Sequence, residues 1–136
     1  MRIVLDTNVL VSALLVQGSV PDQVLGTIIA GRSRLLLDGR IMNEYRDVLA
    51  RPEFGFNAEH VEDILRLIEL SEWILPDPLA LPMPDPGDLP FLEVAVSAGA
   101  DAIVTGNPRH FDLAIGELAV SILTPRQYLD RLASGD

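Results

Sequence analysis

The sequence predicts an α/β fold, a central mostly parallel sheet covered on both faces by helices. Three observations predict it. Short apolar runs recur along the chain, each ends at a polar or turn residue, and stretches with helical apolar spacing separate one run from the next. A chain of 136 residues, 49% hydrophobic and 22% charged, has the composition of one compact core, so residues 1–136 are expected to form a single domain.

The first run, Ile3-Val4-Leu5, ends at Asp6 and suits a buried parallel strand. Asn8 then opens a helical pattern through Val9, Leu10, Ala13 and Leu14. A second helix fits Pro21 to Ala30, with proline in its first turn and Gly31 as its stop. Leu35-Leu36-Leu37 reads as the second strand, and Asp38-Gly39 as its exit. Arg40 to Arg51 and Ala58 to Leu70 both carry apolar residues at helical spacing and are expected to be amphipathic helices. Trp73-Ile74-Leu75 is a candidate short strand. Six of the ten prolines follow, between Pro76 and Pro90, as a stiff connector. Asp88 is placed to cap the next helix, which Gly99 ends. Ala102 to Thr105 is a buried strand with Gly106-Asn107-Pro108 as its turn, Val120 to Leu123 is a late strand, and Pro125 to Leu132 is a terminal helix.

Composition excludes several chemistries. There is no cysteine, hence no disulfide, thiolate zinc site or cysteine nucleophile. The two histidines, His60 and His110, lie far apart in sequence, so a bound metal is expected to have oxygen ligands, and His110 reads as a surface residue. All ten cations are arginine, and the absence of lysine removes Schiff bases, lysine-dependent phosphate loops and aspartyl-phosphate sites. With 20 acids the net charge is −10, which argues against indiscriminate nucleic-acid binding through a basic surface. No apolar run approaches the ~18 residues that span a bilayer, and the first residues do not form a signal peptide. No membrane partner and a cytoplasmic location are expected.

Ligands of such sheets bind beyond the carboxyl ends of the strands, where the strand order reverses. Asp6-Thr7-Asn8, Asp88 and Thr105-Gly106-Asn107 all fall at such ends. A carboxylate directly after a buried run must be capped, matched to a cation or left desolvated. Thr7 and Asn8 can cap the first helix, which leaves Asp6 over; Asp88 has the same two readings. Glu44 flanks the buried stripe of its helix, and on its own reads as a solvated side chain. Asp85 reads as the holder of the Asp85-Pro86-Gly87-Asp88 turn, with a further carboxylate ligand as the other reading. Gathered at one edge, Asp6, Glu44 and Asp88 would repel one another unless a cation sat among them. A hard divalent ion, Mg2+ or Mn2+, suits oxygen donors and can activate water against a phosphodiester. Thr7, Asn8, Thr105 and Asn107 are candidate supporting groups. Arg32, Arg34, Arg40, Arg46 and Arg51 can receive an RNA backbone or simply decorate an exposed face.

The segments IVLDTNVLVSALL, SRLLLDGRIMNEYRDVLARPEF, DPGDLPFLEVAVSAGAD and IVTGNPRHF, in this order along nearly the whole chain, resemble the PIN-domain family, in particular its branch of toxins from bacterial toxin-antitoxin pairs. The resemblance implies a PIN-like three-layer α/β/α sandwich and a Mg2+- or Mn2+-dependent endoribonuclease. It implies catalytic and metal-binding roles for Asp6, Glu44 and Asp88, with Thr7 and Asn8 as the polar pair after the first acid. It also implies an RNA substrate, a homodimer and a small cognate antitoxin. Two positions depart from the family: Asn107 stands where an aspartate is frequent, and His110 where many relatives carry an acid. A fold that binds without turnover, or a receiver-like phosphotransfer domain, are the alternatives; the lack of lysine weighs against the second.

Overall fold

A computed structural model describes residues 1–80, 83–111 and 120–135. Five strands form one sheet: β1 (Arg2–Leu5), β2 (Arg34–Leu37), β3 (Glu72–Trp73), β4 (Ala102–Val104) and β5 (Ser121–Leu123). Their order is β3-β2-β1-β4-β5, and every neighbouring pair is parallel. Parallel pairing demands crossovers. These are supplied by α1 (Thr7–Leu15), α2 (Val20–Ile29), α3 (Gly39–Leu49), α4 (Ala58–Glu69) and α5 (Leu89–Ala98), with α6 (Pro125–Ser134) closing the described chain. The helices flank the sheet as a three-layer α/β/α sandwich.

The chain winds from β1 outward to β2 and β3, then returns past β1 to β4 and β5. The strand order therefore reverses between β1 and β4, whose register pairs Leu5 with Val104. In open α/β sheets a ligand crevice forms at this reversal, beyond the carboxyl ends. Asp6 and Thr105 are the next residues along the two strands.

Strand identity follows burial. Ile3, Val4, Leu35, Leu36, Leu37, Ala102, Ile103 and Val104 are essentially inaccessible, as central parallel strands covered on both faces require. Helix ends follow local chemistry. Ser19 accepts from Asp22 N–H (3.3 Å), Asp38 from Ile41 N–H (3.0 Å) and Asn57 from His60 N–H (3.0 Å), while Thr124 and Gln127 cap α6 reciprocally. Gly99 ends α5 in the left-handed region at φ 61°, which a side chain disfavours.

The boundaries differ from the sequence reading in two informative places. The third strand lies at Glu72–Trp73, and Ile74 adds one further bond by donating to the Leu37 carbonyl (2.9 Å). Pro76 and Pro78 follow at once and lack the N–H a longer strand would use. Asp88 is not the side-chain cap of α5. It has helical dihedrals (φ −82°, ψ −19°) and makes no capping bond, because a 3-10 turn at Pro86–Asp88 precedes the helix and Asp85 caps that turn instead, accepting from Gly87 N–H (2.9 Å). Pro82 of the proline cluster lies outside the described residues.

The proline connector is fastened to α5: Glu93 accepts from Leu79 N–H (2.7 Å) and Ser97 from Asp77 N–H (2.9 Å). Among the described residues no single helix is long and apolar enough to cross a membrane.

Candidate active site

Asp6 leaves β1 with its backbone N–H donating to the Val104 carbonyl (2.9 Å), which extends the ladder one residue beyond the strand. Its carboxylate is buried, and its Oδ2 accepts from the Thr105 hydroxyl (2.7 Å). Thr105 Oγ1 in turn accepts from Asn107 N–H (3.0 Å), and Asn8 Oδ1 accepts from Gly106 N–H (3.1 Å). Neither Thr7 nor Asn8 spends its side chain on capping α1; Thr7 donates its hydroxyl to Glu44 instead. The supporting residues expected from the sequence thus tie the first acid to the turn after β4 and to α3.

Glu44 reaches this edge because of its neighbour. Tyr45 is fully buried and donates its hydroxyl to the Leu5 carbonyl (2.6 Å), which pins α3 against the end of β1. Burial, with the charges of Asp6 and Glu44 adding, raises the Tyr45 phenol well above its ordinary value.

Asp88 is buried, with its Oδ2 making no hydrogen bond. The imidazole Nδ1 of His110, 3.6 Å from that oxygen, is beyond hydrogen-bond length. Loss of solvation, followed by the charge of Asp6, pushes the Asp88 carboxyl up to about 6; Asp85 and Glu44 add to this and His110 opposes it. Asp6 is raised as well, chiefly by burial, against the Thr105 hydroxyl and the His110 charge. No N–H of α1 makes a capping bond to Asp6, although those of Thr7 and Asn8 are near enough to favour its charged form.

The three acids predicted from the sequence therefore share one edge, where the charges of Asp6 and Glu44 act on Asp88. They are not clustered as three ligands of a single ion: among the described residues no three Asp, Glu or His side chains are arranged to hold a metal between them. A smaller set suffices, since magnesium takes one or two carboxylates and fills its remaining positions with water or phosphate oxygens. The unbonded Asp88 Oδ2 and the hard oxygen of Asp6 fit that requirement, with Glu44 held back by Thr7.

Two readings, of His110 and of the arginine stretch, are narrowed by the structure. His110 belongs to the edge instead of to the general surface: Asn107 Nδ2 lies 2.8 Å from its Nε2 while Nδ1 faces Asp88. Its position just past the strand end, after the Gly106-Asn107-Pro108 turn, was the available signal. Four of the five arginines of the stretch are engaged with acids, as the exposed-face reading has it. Arg34 pairs with Glu72, Arg40 with Asp38 and Glu93, Arg46 with Glu62 and Glu69, and Arg51 with Asp47. These partners, Asp38 and Asp47 excepted, are too distant in sequence to be foreseen.

A doubly wound α/β sheet with buried carboxylates at its strand-order reversal defines the class: an open parallel α/β domain whose ligand crevice lies beyond the carboxyl ends of β1 and β4. The sequence profile of the PIN domain matches residues 2–109, and the chain belongs to the PIN-domain family. PIN domains are generally nucleases that depend on a divalent metal. Membership removes the receiver-like alternative. A solved structure of VapBC2 from Rickettsia felis, bound to a DNA fragment from their promoter, is similar in fold: TM-score 0.51 at 15% identity, over 91% of this chain and 98% of that one. No curated protein matches.

Proposed function

We propose that the chain is a Mg2+- or Mn2+-dependent endoribonuclease, hydrolysing RNA phosphodiester bonds at the edge formed by Asp6, Glu44 and Asp88. The observation that carries the reading is Asp88 Oδ2, a buried carboxylate oxygen without a hydrogen bond, next to a second desolvated acid at the sheet's crevice. Buried polar atoms are rarely left unpaired, and an oxygen left so beside another acid is suited to a cation.

Asp6 and Asp88 would hold the ion, and Glu44 would complete or polarise the set. Once bound, a divalent ion lowers the pKa of a coordinated water and offsets charge on the leaving oxygen. Thr105 fixes the direction of the Asp6 carboxylate, Thr7 that of Glu44, and Asn8 holds the 105–107 turn against α1. Asp85 shapes the turn that presents Asp88 and stays outside the ligand set.

Cleavage of single-stranded and structured RNA by the purified chain, with Mg2+, Mn2+ or EDTA, tests the reading. Activity is expected with metal, to vanish in EDTA and to be lost in Asp6→Asn. Cleavage that persists in EDTA or in that variant overturns it; metal binding without cleavage, measured by calorimetry, favours the binding-module alternative that Asn107 suggests.

We also infer a toxin role in a toxin-antitoxin pair, in the cytoplasm, as a homodimer with a small cognate antitoxin. The resemblance in sequence and the fold shared with VapBC2 support this. The acidic edge would accept a basic side chain from the inhibitor. Growth arrest on expression of the wild type, absent for Glu44→Ala, is the expected outcome.

A further inference from the structure

An acidic nuclease needs groups that hold phosphate, and the arginines that looked available from Arg34 to Arg51 are committed to acids. Arg32 precedes β2 and so lies at the amino-terminal end of the parallel sheet, opposite the acids. The turn after β4 is different. The Asn107 amide holds the His110 ring through a 2.8 Å contact between Nδ2 and Nε2, and with that amide nitrogen donating, the N–H of the ring is the one at Nδ1. That Nδ1–H faces the site at 3.6 Å from Asp88 Oδ2, a donor and an acceptor side by side and too far apart to satisfy each other. Such a pairing suits a metal-bound phosphate: an oxygen that takes the ion and a donor beside it for a phosphate oxygen. Arg109 is exposed, immediately precedes His110, and makes no ion pair among the described residues.

We propose that Arg109 and His110 are the substrate-phosphate contacts of this site: His110 donates Nδ1–H to a phosphate oxygen of the RNA strand, and Arg109 holds a neighbouring phosphate. The departure from an acid at position 110 then serves to bind substrate and adds no metal ligand. The inference rests on the ribonuclease reading.

The test is binding of a fluorescein-labelled single-stranded RNA 12-mer, read by anisotropy with Ca2+ as the ion at several salt concentrations and one pH, alongside Mn2+-supported cleavage kinetics. Arg109→Ala is expected to weaken binding roughly tenfold and to lower the slope of log Kd against log salt by about 0.7. His110→Ala is expected to raise KM several-fold, His110→Gln, which keeps an N–H donor, to recover most of it, and Arg32→Ala to bind as the wild type does. Melting temperatures and calorimetric Mn2+ affinity stay at wild-type values throughout. If the wild type cleaves RNA while both variants bind it normally, the proposal is overturned and the nuclease reading stands. A tenfold loss of Mn2+ affinity in His110→Ala makes the ring a metal ligand and also overturns it. A wild type that neither binds nor cleaves RNA removes both.

Discussion

Asp38 and Glu93 are as deeply buried as Asp6 and Asp88, at 7% and 4% exposure against 6% and 7%. Both pairs are built the same way, from an acid at the end of a strand and one at or in α5, yet their surroundings differ. Arg40 lies between Asp38 and Glu93, bonded to both at 2.7–2.8 Å, and every carboxylate oxygen in that group has a partner. Among the described residues no arginine bonds Asp6 or Asp88, and one oxygen has no hydrogen bond at all. Burial of acids is thus common to both regions, and what singles out the first as a site is the lack of a cation hydrogen-bonded to both acids, His110 standing 3.6 Å from Asp88 without a bond to it. A matched group stabilises the fold, whereas an unmatched one leaves room for a cation that is not part of the chain.

This contrast can be broken from either side. The largest effect on stability is expected from Arg40→Ala, which would leave two buried carboxylates facing each other. Fully buried pairs lose ~3–5 kcal/mol when one partner goes. Because the Arg40 side chain is 48% exposed, a loss of about 1–2 kcal/mol is expected, seen as a melting temperature lower by roughly 5 °C.

Asp88→Asn should have the opposite sign in metal-free buffer at pH 7, raising the melting temperature by roughly 3 °C while abolishing metal-dependent cleavage. The pH dependence follows from the raised carboxyl, about 6 in the fold against an ordinary 3.8. Between these values the folded chain holds more protons than the unfolded one, so stability falls as pH rises. The penalty is complete above pH 6 and gone below about pH 4. The gap between Asp88→Asn and wild type is therefore expected to be open at pH 7 and closed near pH 4. Saturating Mn2+ should stabilise only the wild type. An equal or lower metal-free melting temperature for the variant would contradict the proposed repulsion.

Asp85→Ala is the mildest change, removing the 2.9 Å bond to Gly87 N–H on an exposed turn. A cost of about 0.5–1 kcal/mol, with cleavage reduced but present, separates a turn-holding acid from a metal ligand.

The sheet was legible in the sequence because central parallel strands must be apolar on both faces, so Ile3 to Leu5, Leu35 to Leu37 and Ala102 to Val104 announce themselves with no knowledge of their partners. Asp6 was legible for the same reason, as a charge that such a run cannot absorb. Asp85 was readable from its turn. Glu44 was not placed by its helix alone, since helical phase gives a flank but not the neighbour; the bond from Tyr45 to Leu5 decides which edge that flank meets. The setting of His110 and the choice between the two readings of the arginines were not legible, because most of what decides them lies on other elements. Glu93 lies 53 positions from Arg40, and nothing local shows that the two will meet.

The bond between Thr105 and Asp6 joins positions 99 apart, across the strands where the winding reverses. During synthesis the first acid is made well before its hydroxyl partner and the imidazole beyond it, which arrive only after β4. A nascent or prematurely terminated chain thus carries the aspartate without the surroundings that desolvate and orient it. The order of translation leaves this edge unassembled until β4 has been made.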